Sequence, residues 1–443
     1  MPDAAPGARI DAREPLAGNY FVSTYPPFSG WDREGAEAFR RALDTPPGLS
    51  AAVPLGLYVH VPFCAKRCRY CHYLSYEDRP DRISPYLDSV AAEVRRYAGM
   101  PAVAGRPVSF VYFGGGTPSL LSRARLRRLL DGVRSGLPWD ATREVTFECA
   151  PASVTRDKMR LLRDSGVTRV SLGAQQLDDA VLEANGRVHL VRDVERAYAA
   201  IRAVGFDVVN IDLMVGLVGE TDRTFFSSLD RVIGLEPESV TIYQLEIPRN
   251  TPLFAAMRDG ELRSAPPGWA EKRERLVEGY ARLAEAGHTW RSAYTAVRDP
   301  SRHAFVYQDE QYAGADLIGV GASSFGFLAG VHHQNLAALE TYVEAVSRGG
   351  LPLWRGHRLS REESLVREAV LQLKLGRLDL ARLDAKFGAG VTRRFDEPLA
   401  GFETDGLLVR DNRTVTLTRA GLARVDHMIP DFYLERHRGV RYS

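Results

Sequence analysis

Three of the chain's four cysteines, Cys64, Cys68 and Cys71, lie within eight residues, spaced C-x3-C-x2-C. Neither a strand nor one helical turn calls for three thiols so close together, whereas a loop wrapped round one metal centre does. Three thiolates ligate three irons of a [4Fe–4S] cluster and leave the fourth iron open. An open iron takes a small molecule through an amine and a carboxylate, the pair of groups S-adenosylmethionine offers. Two alternatives stand beside this reading. A disulfide set is awkward with an odd number of thiols. A zinc site asks for a fourth Cys or His, which His72 supplies only as the immediate neighbour of another ligand.

The elements that must position this loop follow from periodicity. The apolar run Leu57-Tyr58-Val59-His60-Val61 before it reads as a buried strand. Further strands are predicted over 108–113, 144–148, 169–172, 208–213 and 240–245, and helices over 85–97, 123–134, 156–164, 191–204 and 222–233. Repeated βα units imply a parallel sheet covered by helices. Six of them predict a partial (β/α)6 TIM-like barrel within residues 51–350. Chemistry in such folds gathers at the C-terminal ends of the strands, and the cysteines follow the first strand. After residue 350 two amphipathic helices, over 360–374 and 380–387, precede two short strands around Asp411-Asn412-Arg413 and a last helix after Thr418. That order predicts a winged-helix-like α+β domain over 351–443. Residues 1–50 form an N-terminal arm, expected disordered at 1–14. Its aromatic and proline-rich part, 18–31, reads either as packing on the barrel wall or as a lid.

The strand ends carry the remaining candidates. Gly114-Gly115-Gly116-Thr117-Pro118 ends the second strand, and consecutive glycines let backbone come close to a ligand. Glu148 ends the third and can accept from an ammonium or a ribose hydroxyl. Its neighbour Cys149 reads as a small buried hydrophobe. Gln175 ends the fourth strand and Arg187 follows it; a guanidinium suits a carboxylate. Asp212 ends the fifth, with helix capping as its alternative. Tyr243 and Gln244 end the sixth, and Ile318 to Gly326 reads as a glycine-rich turn containing Gly319 and Gly321. Tyr294 and the run His332-His333-Gln334-Asn335 are candidates for the same cavity or for ordinary wall residues.

Tyr58-Val59-His60-Val61-Pro62-Phe63-Cys64 and the cysteine spacing after it resemble the radical S-adenosylmethionine enzymes, and within them the oxygen-independent coproporphyrinogen oxidase-like family, over residues 55 to 430. The resemblance implies that Cys64, Cys68 and Cys71 hold the [4Fe–4S] cluster. It implies that Tyr58, Gly114, Gly115, Gly116, Thr117, Glu148, Gln175, Arg187 and Asp212 contact S-adenosylmethionine. Gly319, Gly321, Tyr243 and Gln244 would border a second S-adenosylmethionine or the substrate, Tyr243 and Gln244 nearest the chemistry. One departure bears on activity. Haem-synthesis oxidases of the family carry a further cysteine where Tyr73 stands, and the haem-chaperone branch shows Asp-Phe where His72-Tyr73 stand. The segments 70–76 and 243–248 resemble the methyltransferase and cyclopropanase branch of natural-product pathways. The leading expectation is therefore a radical C-methyltransferase or cyclopropanase that uses two S-adenosylmethionine molecules. A radical from the first takes hydrogen from the methyl of the second, and the methylene radical adds to an sp2 carbon. The alternatives are oxidative decarboxylation of a porphyrinogen propionate and a haem chaperone. The implied partners are a small-molecule substrate, a flavodoxin or ferredoxin electron donor and, for methyl transfer, a partner methyltransferase; the chain itself is expected to be a monomer.

Composition sets the outer limits. At 443 residues the chain is long enough for one large and one small domain. A net charge of +2 argues against a general nucleic-acid binder. No run approaches the ~20 apolar residues of a membrane span. Residues 1–13 lack the apolar core of a signal peptide, and four cysteines in so long a chain point to a reducing cytoplasm.

Overall fold

The computed structural model describes residues 24–47, 53–77, 79–262 and 264–440. The disorder expected over 1–14 and the first part of the aromatic arm lie outside them. The chain divides into two compact units, one of Gly30–Leu213 with Phe305–Arg358, the other of Met1–Ser29, Met214–Ala304 and Leu359–Ser443.

In the first unit the strands Leu55–Val61, Val108–Gly115, Glu144–Cys149, Arg169–Gln175 and Val208–Val215 lie side by side in chain order, all parallel. A parallel strand is covered on both faces, so its sequence is apolar throughout rather than alternating. Leu57, Val59 and Val61 are fully buried, as are Phe110, Val111 and Phe113 on the next strand. The covering helices bury one stripe each: Tyr86, Leu87, Val90, Val94 and Tyr97 on Pro80–Ala98, and Leu126, Leu129, Leu130 and Val133 on Arg123–Gly136. Ser122 and Thr155 cap the helices Arg123–Gly136 and Arg156–Asp164 by accepting from the backbone N–H three residues on, which is why those starts were readable. The helix predicted from Pro85 begins at Pro80 instead, with Pro85 inside it. Pro80 takes the first helical position, where a missing N–H costs nothing.

The glycine-rich segment predicted as a turn is a strand for half its length. Asp316–Val320 pairs parallel with the first strand, Tyr58 opposite Gly319. Only the residues from Gly321 to Ser324 turn. The sheet then continues antiparallel through Phe325–Leu328, Val331–Asn335 and Leu353–Arg358. Helix Arg33–Leu43, capped by Asp32, lies against this extension. A Cβ on Gly35 would stand 1.9 Å from the Gly356 carbonyl oxygen, so only glycine permits the approach. Trp31 stacks on His332 at 4.8 Å and Phe39 on His333 at 3.9 Å. From Trp31 onward the arm packs on this extension of the sheet.

The other unit holds the sixth strand, Ser239–Gln244, paired antiparallel with Thr295–Val297. Its helices Arg361–Lys374 and Leu380–Phe387 precede the hairpin Leu408–Asp411 and Thr414–Leu417. Arg377–Asp379 adds a third strand to that hairpin, and helix Arg419–Met428 follows. No helix is long and apolar enough to cross a membrane among the described residues.

Candidate active site

The cysteine loop leaves the C-terminal end of the first strand and is tied down along its length. Cys71 N–H donates to the Cys68 carbonyl at 3.1 Å, Arg69 N–H to Asn185 at 3.2 Å and Tyr76 N–H to Pro62 at 2.7 Å. The Arg67 guanidinium donates to the Cys71 carbonyl at 2.9 Å. All three thiols are half-buried. Burial pushes the Cys71 thiol up to about 11 and raises that of Cys64, so without metal they are protonated and ligation must displace those protons. Among the described residues, no three His, Cys, Asp or Glu side chains converge on a single-ion site. A loop of three sulfur donors held by its own backbone fits a [4Fe–4S] cluster with one iron left for a small ligand.

The loop is stitched to the glycine run. Gly116 N–H donates to the Val61 carbonyl at 2.9 Å and Thr117 N–H to the Phe63 carbonyl at 2.8 Å. A Cβ on Gly116 would stand 2.9 Å from the Phe63 backbone, and one on Gly115 would meet the His60 ring at 2.6 Å. These glycines are needed for the approach of two protein segments as much as for any ligand. Glu148 sits beside them, accepting from Tyr112 Oη at 2.7 Å and from Gly115 N–H at 3.2 Å. Burial pushes its carboxyl up to about 7, and the charge of Asp212 adds to the rise. A carboxylate so placed has two oxygens to offer an ammonium group.

Arg187 reaches back over the fourth strand. Its Nη2 donates to the Gly173 carbonyl at 2.8 Å and its Nη1 to Cys68 Sγ at 3.2 Å. A Cβ on Gly173 would press on Gln175 Nε2 at 2.9 Å. Gln175 itself has φ of 66°, the left-handed region that a non-glycine residue enters at a cost of about 1–3 kcal/mol. Asp212 accepts from Ser171 Oγ at 2.9 Å and Asn210 Nδ2 at 2.7 Å; it does not cap a helix. The Tyr58 ring stacks on Tyr112, centroids 5.8 Å apart. One unit thus carries Tyr58, the three cysteines, Gly114–Thr117, Glu148, Gln175, Arg187 and Asp212 on the C-terminal edge of one parallel sheet.

Several side chains in contact with the candidates were not singled out from the sequence. His60 Nε2 donates to the Leu74 carbonyl at 3.3 Å, which leaves Nδ1 to accept from Tyr58 Oη at 3.2 Å. Burial holds His60 down at about 4, so this neutral tautomer persists. His189 does the same for Arg187: Nε2 donates to the Ala174 carbonyl at 3.0 Å, and Nδ1 accepts from the guanidinium at 3.4 Å. Tyr112 and Tyr307, centroids 4.4 Å apart, extend the aromatic wall beside Tyr58. Tyr112 lies within the apolar run of the strand Val108–Gly115 and Tyr307 far along the chain, so nothing local marked either.

Other candidates make protein contacts of their own. Gly319 faces the Phe325 backbone, where a Cβ would lie 2.0 Å from the carbonyl oxygen, and one on Gly321 would meet Tyr86 Oη at 2.4 Å. His333 is wholly buried and His332 nearly so, both in the aromatic stacks under the arm. Gln244 donates to the Ala423 carbonyl at 3.0 Å, and Tyr243 lies 5.5 Å from Tyr294. Tyr294 meets Lys374 and Asp426. Cys149 is buried, as read from the sequence.

Residues 58–232 match the Radical SAM superfamily and residues 359–424 the HemN C-terminal domain. The chain is 33% identical to the heme chaperone HemW of Mycobacterium tuberculosis over 88% of its own length and 98% of the relative's. It is 30% identical to the oxygen-independent coproporphyrinogen III oxidase of Escherichia coli, over 91% and 90%. The solved structure of that organism's coproporphyrinogen III oxidase (HemN), a radical SAM enzyme, superposes with a TM-score of 0.81 at 28% identity over 93% of this chain and 96% of that one. Fold and cysteine loop together define a radical S-adenosylmethionine protein with a TIM-like α/β barrel. Within that class, the chain belongs to the HemN-like family, whose similar members here are named as oxidases and haem chaperones. Neither those relatives nor that structure supports the methyltransferase or cyclopropanase branch expected from the turns.

Proposed function

We propose that this chain is a radical enzyme that removes hydrogen from a carbon of a small-molecule substrate, with oxidative decarboxylation of a carboxylated substrate as its reaction class. One observation carries the reading: Glu148, Arg187 and the three-thiol loop stand on one sheet edge in a chain aligned nearly end to end with coproporphyrinogen III oxidase. When bound, the cluster and S-adenosylmethionine supply a 5′-deoxyadenosyl radical. The protein's share is to bind and orient. Glu148 and the Gly114–Gly116 backbone take the amino group, and Arg187, oriented by His189, takes the carboxylate. Gln175 and Asp212 flank the ribose. Tyr58 and Tyr112 offer an aromatic wall that excludes water. A low-potential flavodoxin or ferredoxin supplies the electron.

Methyl transfer with a second S-adenosylmethionine is the second reading, favoured by Tyr73 standing where haem-synthesis oxidases carry another cysteine. Methyl-deuterated S-adenosylmethionine separates the two. Hydrogen removed from substrate leaves deoxyadenosine free of deuterium, with carbon dioxide formed in step. Deuterium in deoxyadenosine, together with S-adenosylhomocysteine, would replace the decarboxylase by the methyl-transfer reaction. Haem retention with no substrate-coupled deoxyadenosine would mark a chaperone.

A further inference from the structure

We propose that Thr117 sets the reduction potential of the cluster through a hydrogen bond from its hydroxyl to Cys64 Sγ. The inference rests on the reading that Cys64, Cys68 and Cys71 hold that cluster. Thr117 Oγ1 lies 3.5 Å from Cys64 Sγ. The geometry is built, because the backbone bonds of Gly116 and Thr117 to Val61 and Phe63 fix the hydroxyl's height over the loop. A side chain at position 116 would separate the two segments.

The loop sulfurs take donors from different sources. Cys64 has the hydroxyls of Thr117 and Ser75, Cys68 has the Arg187 guanidinium at 3.2 Å, and Cys71 has the Tyr73 backbone N–H. The threonine hydroxyl can be removed without losing a guanidinium or altering main chain, and Ser75 stays in place when it is. Reduction adds one electron and no atom to the cluster, and part of the added charge falls on the cysteine sulfurs. A donor aimed at sulfur therefore stabilises the reduced state more than the oxidised one. Removing it makes the one-electron reduction harder. In this assignment Thr117 acts through Cys64 and is a positioning residue for the electron-transfer step.

Valine matches threonine in shape and lacks the hydroxyl. The test is anaerobic reconstitution of wild type, Thr117→Val, Thr117→Ala and Thr117→Ser, with iron and sulfide counted. Midpoint potentials follow from chemical titration monitored by electron paramagnetic resonance, without S-adenosylmethionine. The expected result is a lower midpoint in Thr117→Val and Thr117→Ala at full iron content, with Thr117→Ser at the wild-type value. An unchanged midpoint in either loaded variant overturns the proposal. A second measurement covers variants that load poorly. Pulsed resonance in D2O of the reduced Ser75→Ala protein, and of Ser75→Ala combined with Thr117→Ser, should show an exchangeable deuteron coupled to the cluster through Cys64, located by 57Fe and 13Cβ-cysteine labelling. No such deuteron overturns the proposal. Wild-type protein that takes up no iron and sulfide overturns the underlying cluster reading instead, so the two failures are distinguishable.

Discussion

Arg187 shows how one side chain is aimed before any ligand arrives. Its three bonds, to Gly173, Cys68 and His189, hold the guanidinium beside the cluster loop. Arg187→Ala is expected to weaken S-adenosylmethionine binding by ~2–5 kcal/mol, the usual cost of removing one partner from a buried charge pair. Calorimetry on the reconstituted protein measures it, and iron content should be unchanged. Arg187→Lys should recover little, because an ammonium cannot make the two-pronged contact. Affinity unaltered in Arg187→Ala would refute the assignment to the carboxylate.

Glu93 governs an element rather than a ligand. Wholly buried on the helix Pro80–Ala98, it accepts from Gly321 N–H at 2.9 Å, Asn335 Nδ2 at 2.6 Å and Tyr342 Oη at 2.6 Å. These bonds pin the turn after Asp316–Val320 beside the first strand. Burial pushes its carboxyl up to about 7 against those donors. The neutral acid is thus favoured by folding: the stabilisation is full below the unfolded value of ~4.5 and is lost as pH rises through about 7. The shift bounds the loss at ~3 kcal/mol. Glu148 and Glu220, also pushed up to about 7 by burial, slope the same way. Melting temperature should therefore fall between pH 5 and 8, and fall less steeply in Glu93→Gln. Equal slopes in the two proteins would count against the assignment.

At the scale of the molecule, the HemN-like C-terminal region is joined by charge as well as by apolar packing. Lys374, with no exposed side-chain surface, meets both Tyr294 and Asp426. The three residues connect the helices Arg361–Lys374 and Arg419–Met428 to the segment after the helix Trp269–Glu285. Lys374→Met leaves Asp426 buried without its cation and should cost ~3–5 kcal/mol. Lys374→Met with Asp426→Leu should recover most of that loss, as buried pairs replaced by apolar residues often do. Denaturant midpoints of both variants check this. A double variant no better than the single one would show that the pair does more than neutralise itself.

The local devices were legible because they depend on neighbours in sequence. The C-x3-C-x2-C loop, the six βα repeats, the capped helix starts at Ser122 and Thr155 and the hairpin around Asn412 needed only periodicity, thiol spacing and turn chemistry. Gly114–Thr117, Glu148, Gln175 and Asp212 could be placed on one edge, since residues at the ends of parallel strands share it, while their roles and that of Arg187, in the loop after the fourth strand, are what the family resemblance implies. What stayed hidden depends on partners far along the chain. Gly319 and Gly321 are glycines because Phe325 and Tyr86 crowd them, and crowding leaves no mark in a local pattern. His332 and His333 could line a cavity or a wall by sequence, and only the fold stacks them on Trp31 and Phe39. Gln244 and Tyr294 have protein partners in Ala423, Lys374 and Asp426, which no local pattern announces. Tyr307 joins the wall from nearly 200 residues beyond Tyr112. A sequence determines which chemistry its short-range spacing can support; only tertiary packing decides which partners from far along the chain each polar group meets.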